Sequence, residues 1–145
     1  MVYLLSPLLI FFAVSSHSEG RSLTDDLGRL IDVDEPPKTI VSLSPHLTEL
    51  LFDLDVGHKV VGTVSFSDYP NSAKSITRIG DASALNLERI IQMEPDLVIA
   101  WLSGGSFQSV ERLIGLGFKV YVNEISTPRD IASSVEKLGV LVGQQ

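Results

Sequence analysis

The chain has 145 residues and no cysteine. That absence excludes disulfides, thiol catalysis, cysteine-based zinc sites and a lipid-modified N-terminal cysteine. Basic residues are also scarce, with 11 Lys and Arg against 18 Asp and Glu and a formal net charge of -7. Phosphate recognition needs clustered Lys and Arg, so no nucleic-acid partner is expected. No G-x-G-x-x-G follows a candidate strand, and no Gly-rich loop ends in Gly-Lys-Ser/Thr, which leaves nucleotide binding without its usual cradle. No serine sits in the G-x-S-x-G setting of a nucleophile elbow. Three histidines are present, but none forms an H-E-x-x-H or H-x-x-E-H metal motif.

What is present describes a folded protein. Apolar residues make up 44% and charged residues 20% of the chain, the balance of a globular domain rather than a disordered one. The length suits about one domain with a sizeable core. Residues 1–18 carry no charged side chain, and their apolar run "VYLLSPLLIFFAV" is shorter than the ~30 Å hydrocarbon layer requires of a helix. Small residues follow it, so residues 1–18 are expected to form a secretory signal peptide cleaved after Ser16 or Ser18. One feature departs from the usual pattern: the only positive charge ahead of the run is the α-amine.

Residues 19–38 suggest an N-terminal extension with a small hairpin turning at Asp26-Leu27-Gly28, followed by an extended Pro36-Pro37 step. Beyond it, strand and helix patterns alternate four times. "TIVSL" (39–43), "KVVGTV" (59–64), "DLVIAW" (96–101) and "FKVYV" (118–122) read as strands. Leu47, Leu50, Leu51 and Leu54 recur at i, i+3, i+4 and i+7, predicting a helix that starts at Ser44-Pro45 and stops near Gly57. On that helix Thr48 and Glu49 are expected to face solvent. Residues 65–85 read as a long polar loop. "NLERIIQME" predicts a short helix with Asn86 as N-cap and Leu87, Ile90 and Ile91 facing the core. Thr127, Pro128 and Asp130 give the last helix a strong start. Short connections between alternating elements imply an α/β fold, a Rossmann-like parallel sheet flanked by helices. Ligands on such sheets bind beyond the carboxyl ends of the strands, so the loops after Leu43, Val64, Trp101 and Val122 should share one rim.

Few residues on that rim carry obvious chemistry. His46 lies near Ser42 and Ser44, but adjacency in sequence does not make a triad. "SGGS" (103–106) is either a tight turn or a phosphate loop. Trp101, the single tryptophan, either completes the core or offers a flat apolar face to a ligand. Glu88, at the start of its helix, is either a carboxylate favoured by the helix dipole or an exposed acid awaiting a basic partner.

Taken in order, "PPKTIVSLSPHLTELLF", "VVGTVSFSDYP", "RIGDASALNLERIIQMEPDLVIAW" and "LGFKV" resemble the periplasmic vitamin B12-binding proteins, in the iron-siderophore/cobalamin class of substrate-binding proteins that serve ABC importers. The resemblance covers nearly the whole chain after the leader. It implies residues 39–145 form the N-terminal lobe of a two-lobe periplasmic binding protein, with the C-terminal lobe absent. The implied function is capture of cobalamin or a related corrinoid as transported ligand, with no cofactor and no enzymatic reaction. The implied partners are the membrane permease subunits of the importer, the location is the periplasm, and the protein is expected to be a monomer. Matched residue by residue, Pro45, His46, Phe66 and Trp101 become ligand contacts. Ala82 stands where well-known cobalamin binders have tryptophan, so one flat contact is missing there. Glu88 falls on the acid that docks into arginines of the importer. A ferric siderophore, haem or metal ion on the same fold is the alternative, supported by Ala82, although rim cations such as Lys74 and Arg78 are few. A small α/β enzyme is a third possibility, against which the missing motifs count.

Overall fold

The structure, a computed structural model, describes residues 20–32, 34–81, 83–105 and 107–144. The signal-peptide assignment and Ala82 lie outside the described residues. Among the described residues no helix is long and apolar enough to cross a membrane.

A small antiparallel hairpin comes first among the described residues, with β1 (Ser22–Thr24) paired to β2 (Leu30–Asp32). The remaining strands are β3 (Ile40–Ser42), β4 (Val60–Thr63), β5 (Thr77–Arg78), β6 (Leu97–Trp101) and β7 (Val120–Asn123). They form one five-stranded sheet in the order β5-β4-β3-β6-β7, every pair parallel. Four helices cover it: α1 (Pro45–Asp53), α2 (Leu87–Met93), α3 (Phe107–Gly115) and α4 (Pro128–Val142). The α/β class read from the sequence is therefore what the chain adopts.

Alternate strand residues feed two separate cores. Ile40, Leu97, Ile99 and Tyr121 point to one face, where Leu47 and Leu51 of α1 and Leu138 and Leu141 of α4 meet them. Val41, Val98, Ala100, Val120 and Val122 point to the other, against Ile90 of α2 and Val110 and Leu113 of α3. Burial on both faces is why these strands read as continuous apolar runs rather than alternating ones. Each such Leu, Ile or Val contributes roughly 1.5–3 kcal/mol relative to exposure.

The hairpin turn is pinned against β7. Asp25 accepts hydrogen bonds from Leu27 N (3.1 Å), Arg29 N (2.9 Å), Arg29 Nε (3.1 Å) and Val122 N (3.3 Å), and it pairs with the Arg29 guanidinium. Arg29 Nη2 also donates to Val120 O at 2.8 Å. Asp26 N donates to Val122 O at 2.9 Å, and Asp26 Oδ2 accepts from Glu124 N at 2.6 Å.

Four expectations are corrected. Residues 65–85 are not all loop: Asn71–Ser75 forms a 3-10 turn, and β5 adds a fifth strand beside β4. Helix α1 ends before Gly57, because Asp55 takes a left-handed conformation (φ 58°) and Gly57 packs against the Phe52 ring. Ile91 does not join the core but remains 40% exposed beside a recess. Thr48 is wholly buried, for reasons that belong to the rim.

Candidate functional site

The strand order places a crossover at the centre of the sheet. From β3 the chain moves outward through β4 to β5, then returns to the other side of β3 with β6 and continues to β7. Adjacent loops leave in opposite directions at such a point, which opens a crevice at the carboxyl ends of the strands. Here the crevice lies between the loop after β3, carrying Ser44, Pro45 and His46, and the end of β6, carrying Trp101.

His46 and Trp101 meet across it, their ring centroids 5.0 Å apart and their planes at 89°. This edge-to-face geometry is favoured by the ring quadrupoles and contributes about 0.5–1.5 kcal/mol beyond area burial. Ser44 supplies the third member: its Oγ lies 2.6 Å from His46 Nδ1. Ser44 thus occupies the N-cap position of α1 without a side-chain capping bond, its hydroxyl being committed to the imidazole. Either tautomer leaves His46 Nε2 without a partner, and Trp101 Nε1 is likewise buried and unpaired. Burial lowers the His46 pKa from its ordinary value, while the Glu124 carboxylate acts in the opposite direction. The imidazole therefore favours its neutral form.

A cleft of about 260 Å3 opens beside this pair. Leu50, Ile125 and Ile131 give it apolar walls, and Glu49 and Asp53 of α1 add carboxylates. A larger recess of about 480 Å3 lies at the opposite end of the sheet, between Pro36-Pro37, Pro95-Asp96 and Gly117-Phe118. The loops around it lead into the strands rather than out of them, so the rim is the better candidate.

Phe66 stands over the carboxyl end of β4, next along the rim from β3. It is 83% exposed and held at φ 68°, in the left-handed region. For a bulky side chain that conformation costs on the order of 1–3 kcal/mol and persists only where surrounding contacts impose it. Beside it runs a buried chain of hydroxyls. Thr48 Oγ1 donates to Ser44 O (3.0 Å) or Ser42 Oγ (2.9 Å) and lies 2.7 Å from Thr63 Oγ1, which in turn lies 2.9 Å from Ser67 Oγ. The network ties the start of α1 to the loop after β4 at Ser67, the residue next to Phe66. Periodicity could not find Thr48, because its partner Thr63 lies fifteen residues further along.

The other residues fall as follows. Pro45, half-buried, opens α1 directly before His46. Of "SGGS", Ser103 to Gly105 form a tight turn against the tryptophan and Ser106 lies outside the described residues: Gly104 N donates to Trp101 O at 3.1 Å, and a Cβ at Gly104 would come within 3.3 Å of the indole ring. Glu88 is apart from the rim pair, on the α2–α3 side of the sheet. Asn86 Oδ1 accepts from Arg89 N at 3.0 Å, fixing the helix start and leaving Glu88 exposed. It borders a recess of about 620 Å3 with Leu87, Ile91, Arg112 and Leu116. Arg78 is not a free rim cation, since its guanidinium is taken by Ala73 O, Ile76 O, Ser67 O and Asp68. Glu124, which no sequence pattern marked, reaches from the end of β7 to Ser103 in the loop after β6. Among the described residues no group of three or more His, Asp or Glu side chains is gathered as a metal site would require.

Comparison with known proteins gives a consistent picture. Residues 40–145 match the family model described as periplasmic binding protein. The chain is 33% identical over 138 residues to a vitamin B12-binding protein of Vibrio vulnificus, a match covering 95% of this chain and 45% of that protein. Over 105 residues it is 36% identical to a vitamin B12-binding protein of Vibrio parahaemolyticus, covering 72% and 38%. Among solved structures, the periplasmic vitamin B12 binding protein of Vibrio cholerae superposes with a TM-score of 0.68 at 33% identity, covering 74% of this chain and 41% of that one. A periplasmic heme binding protein from Pseudomonas aeruginosa superposes with a TM-score of 0.69 at 26% identity, covering 74% and 39%. The chain spans less than half the length of these relatives.

Proposed function

The chain belongs to the periplasmic binding protein family, and from that premise we propose that it captures cobalamin or a related corrinoid for delivery to an ABC importer. It would act in the periplasm, exported by the leader in residues 1–18, with residues 39–145 as one lobe of the binding protein. It binds and releases; it catalyses no reaction. The observation that carries this reading is the His46–Trp101 pair at the crossover of the sheet, beside an apolar cleft. A large, flat ligand needs apolar walls and a few orienting polar groups, and the rim offers Trp101, Phe66 and Pro45 for the first and His46 for the second. The vitamin B12-binding relatives point to the corrinoid.

Titration with cobalamin tests this directly. Trp101, as the single tryptophan, should lose fluorescence as ligand binds. One lobe supplies only part of the contact area, so the expected Kd is on the order of 10–100 μM. The absence of both quench and heat at high micromolar ligand would sink the corrinoid reading.

Haem is the second reading, favoured by the similarity to the Pseudomonas aeruginosa protein and by His46 Nε2, which is unpaired but buried and would have to be uncovered to ligate iron. A parallel hemin titration separates the two: tighter binding of hemin than of cobalamin, with a Soret change lost in His46→Ala, would replace the corrinoid by haem. A siderophore is less suited, because the Arg78 guanidinium is already engaged.

Release is proposed to begin when Glu88 engages a basic group of the importer's membrane subunits. Its exposure at the edge of an apolar recess supports that role. Glu88→Arg should weaken association with the importer about tenfold or more, since like charges oppose each other at the contact, and should leave ligand affinity intact. Equal loss of both would assign Glu88 to folding instead.

A further inference from the structure

The loops after β6 and β7 start level with one another, because Trp101 and Asn123 are register partners and Leu102 N donates to Asn123 O at 2.9 Å. Beyond that point the backbone pairing stops, and the next residues of the β6 loop include two consecutive glycines, Gly104 and Gly105, the latter at φ 87°. Such a segment has little stiffness of its own. Glu124 supplies what the loop lacks. Its Oε2 accepts from Ser103 N at 3.0 Å, and Ser103 Oγ lies 2.9 Å from both carboxylate oxygens. Ser126 Oγ donates to Oε1 at 3.1 Å. The backbone of Glu124 is fixed as well: its N–H is held by Asp26 Oδ2 at 2.6 Å, and Lys137 Nζ holds Asp26 Oδ1 at 3.1 Å.

We infer that Glu124 is a positioning residue of the binding rim: it clips the β6 loop to the end of β7, so that Trp101 stays against His46, and it sets a fixed negative charge near the imidazole. The first half rests on the hydrogen bonds alone. The second rests on placement, since Glu124 sits between Asn123, the register partner of Trp101, and Ile125, which lines the cleft with His46, and on the upward influence of Glu124 on His46 against the effect of burial. Glu49 and Asp53 of α1 line the same cleft, while α4 contributes the uncharged Ile131. Those two carboxylates are unchanged in a Glu124 variant, so any change in His46 titration reports on Glu124. The link to ligand capture rests on the function proposed above.

Glu124→Ala and Glu124→Gln in the full chain separate the two contributions. In Glu124→Ala, amide exchange at Ser103 should speed up, and acrylamide should reach Trp101 more readily, both without ligand. Cobalamin affinity should fall about fivefold to tenfold, the cost of re-ordering a loop and one aromatic side chain on binding. Glu124→Gln keeps an acceptor for Ser103 and should hold affinity within about twofold. In both variants the His46 pKa, followed by NMR, should drop below its wild-type value, because a carboxylate favouring the imidazolium is gone. Wild-type Ser103 exchange and Trp101 quenching in Glu124→Ala would overturn the clip, and an unchanged His46 titration in both variants would overturn the charge. Failure of the wild-type protein to bind cobalamin would refute the proposed function, while the ligand-free measurements would still decide the role of Glu124.

Discussion

On the proposed function, Trp101→Ala is expected to lower affinity for cobalamin by about thirtyfold or more, and Trp101→Phe by several-fold less. The expectation follows from where the ring sits. Leu97, Val98, Ile99 and Ala100 of β6 are buried, and Trp101 alone emerges half-exposed at the carboxyl end. Its ring is set by His46 on one side and by the Gly104 turn on the other. A rigid aromatic loses little rotamer entropy when a ligand covers it and brings 150–250 Å2 of surface in total, so truncating such an anchor costs ~2 kcal/mol or more. Because the variant has no other tryptophan, calorimetry must replace fluorescence. Urea melts recorded alongside separate lost binding from lost folding. An affinity within threefold of wild type, in a protein that still folds, would remove Trp101 from the site.

Asp25→Ala should cost about 3 kcal/mol of folding stability. The Asp25 side chain is fully buried, and that of Arg29 is 30% exposed. Removing the acid leaves a partly buried guanidinium without its partner, and leaves the N–H groups of Leu27, Arg29 and Val122 without their acceptor. Breaking a buried pair from one side typically costs about 3–5 kcal/mol, and the partial exposure of Arg29 argues for the lower end. Against a total stability of roughly 5–15 kcal/mol, that is a large fraction. Replacing Asp25 and Arg29 together by apolar residues should cost less than the single change, since no charge is then stranded. A urea midpoint for Asp25→Ala close to wild type would show the pair to be dispensable.

Much of this architecture was legible in the sequence, for identifiable reasons. Apolar runs such as "DLVIAW" stood out because a parallel strand covered on both faces has no polar positions to interrupt it. The start of α4 was legible because its signals are local: Thr127 and Asp130 form the reciprocal capping box they suggest. Helix α2 was legible for the same reason, with Asn86 accepting from Arg89 N. β5 was missed because it is two residues long and polar, and it is held by backbone pairing to β4 and by Arg78 reaching back to the preceding turn. Thr48 was misplaced because a helix near a rim can bury a polar side chain if hydroxyls from other elements receive it. Glu124 left no trace in the sequence: its partner Ser103 is twenty-one residues away, and neither residue belongs to a motif. Family resemblance named the rim residues His46 and Trp101, but their edge-to-face contact and their unpaired nitrogens required coordinates.

The hairpin turn has a consequence for how this protein behaves in a crowded compartment. β7 ends the sheet, so the backbone groups on its outer side have no strand to meet. A bare border of that kind is a template on which another chain can add a strand and begin to aggregate. Here Val120 O, Val122 N, Val122 O and Glu124 N are each already taken by Arg29, Asp25 or Asp26. Side chains and a turn stand in for the neighbouring strand along this border. The same few residues that hold the hairpin in place therefore block strand addition at the β7 edge, so loosening them would uncover that border.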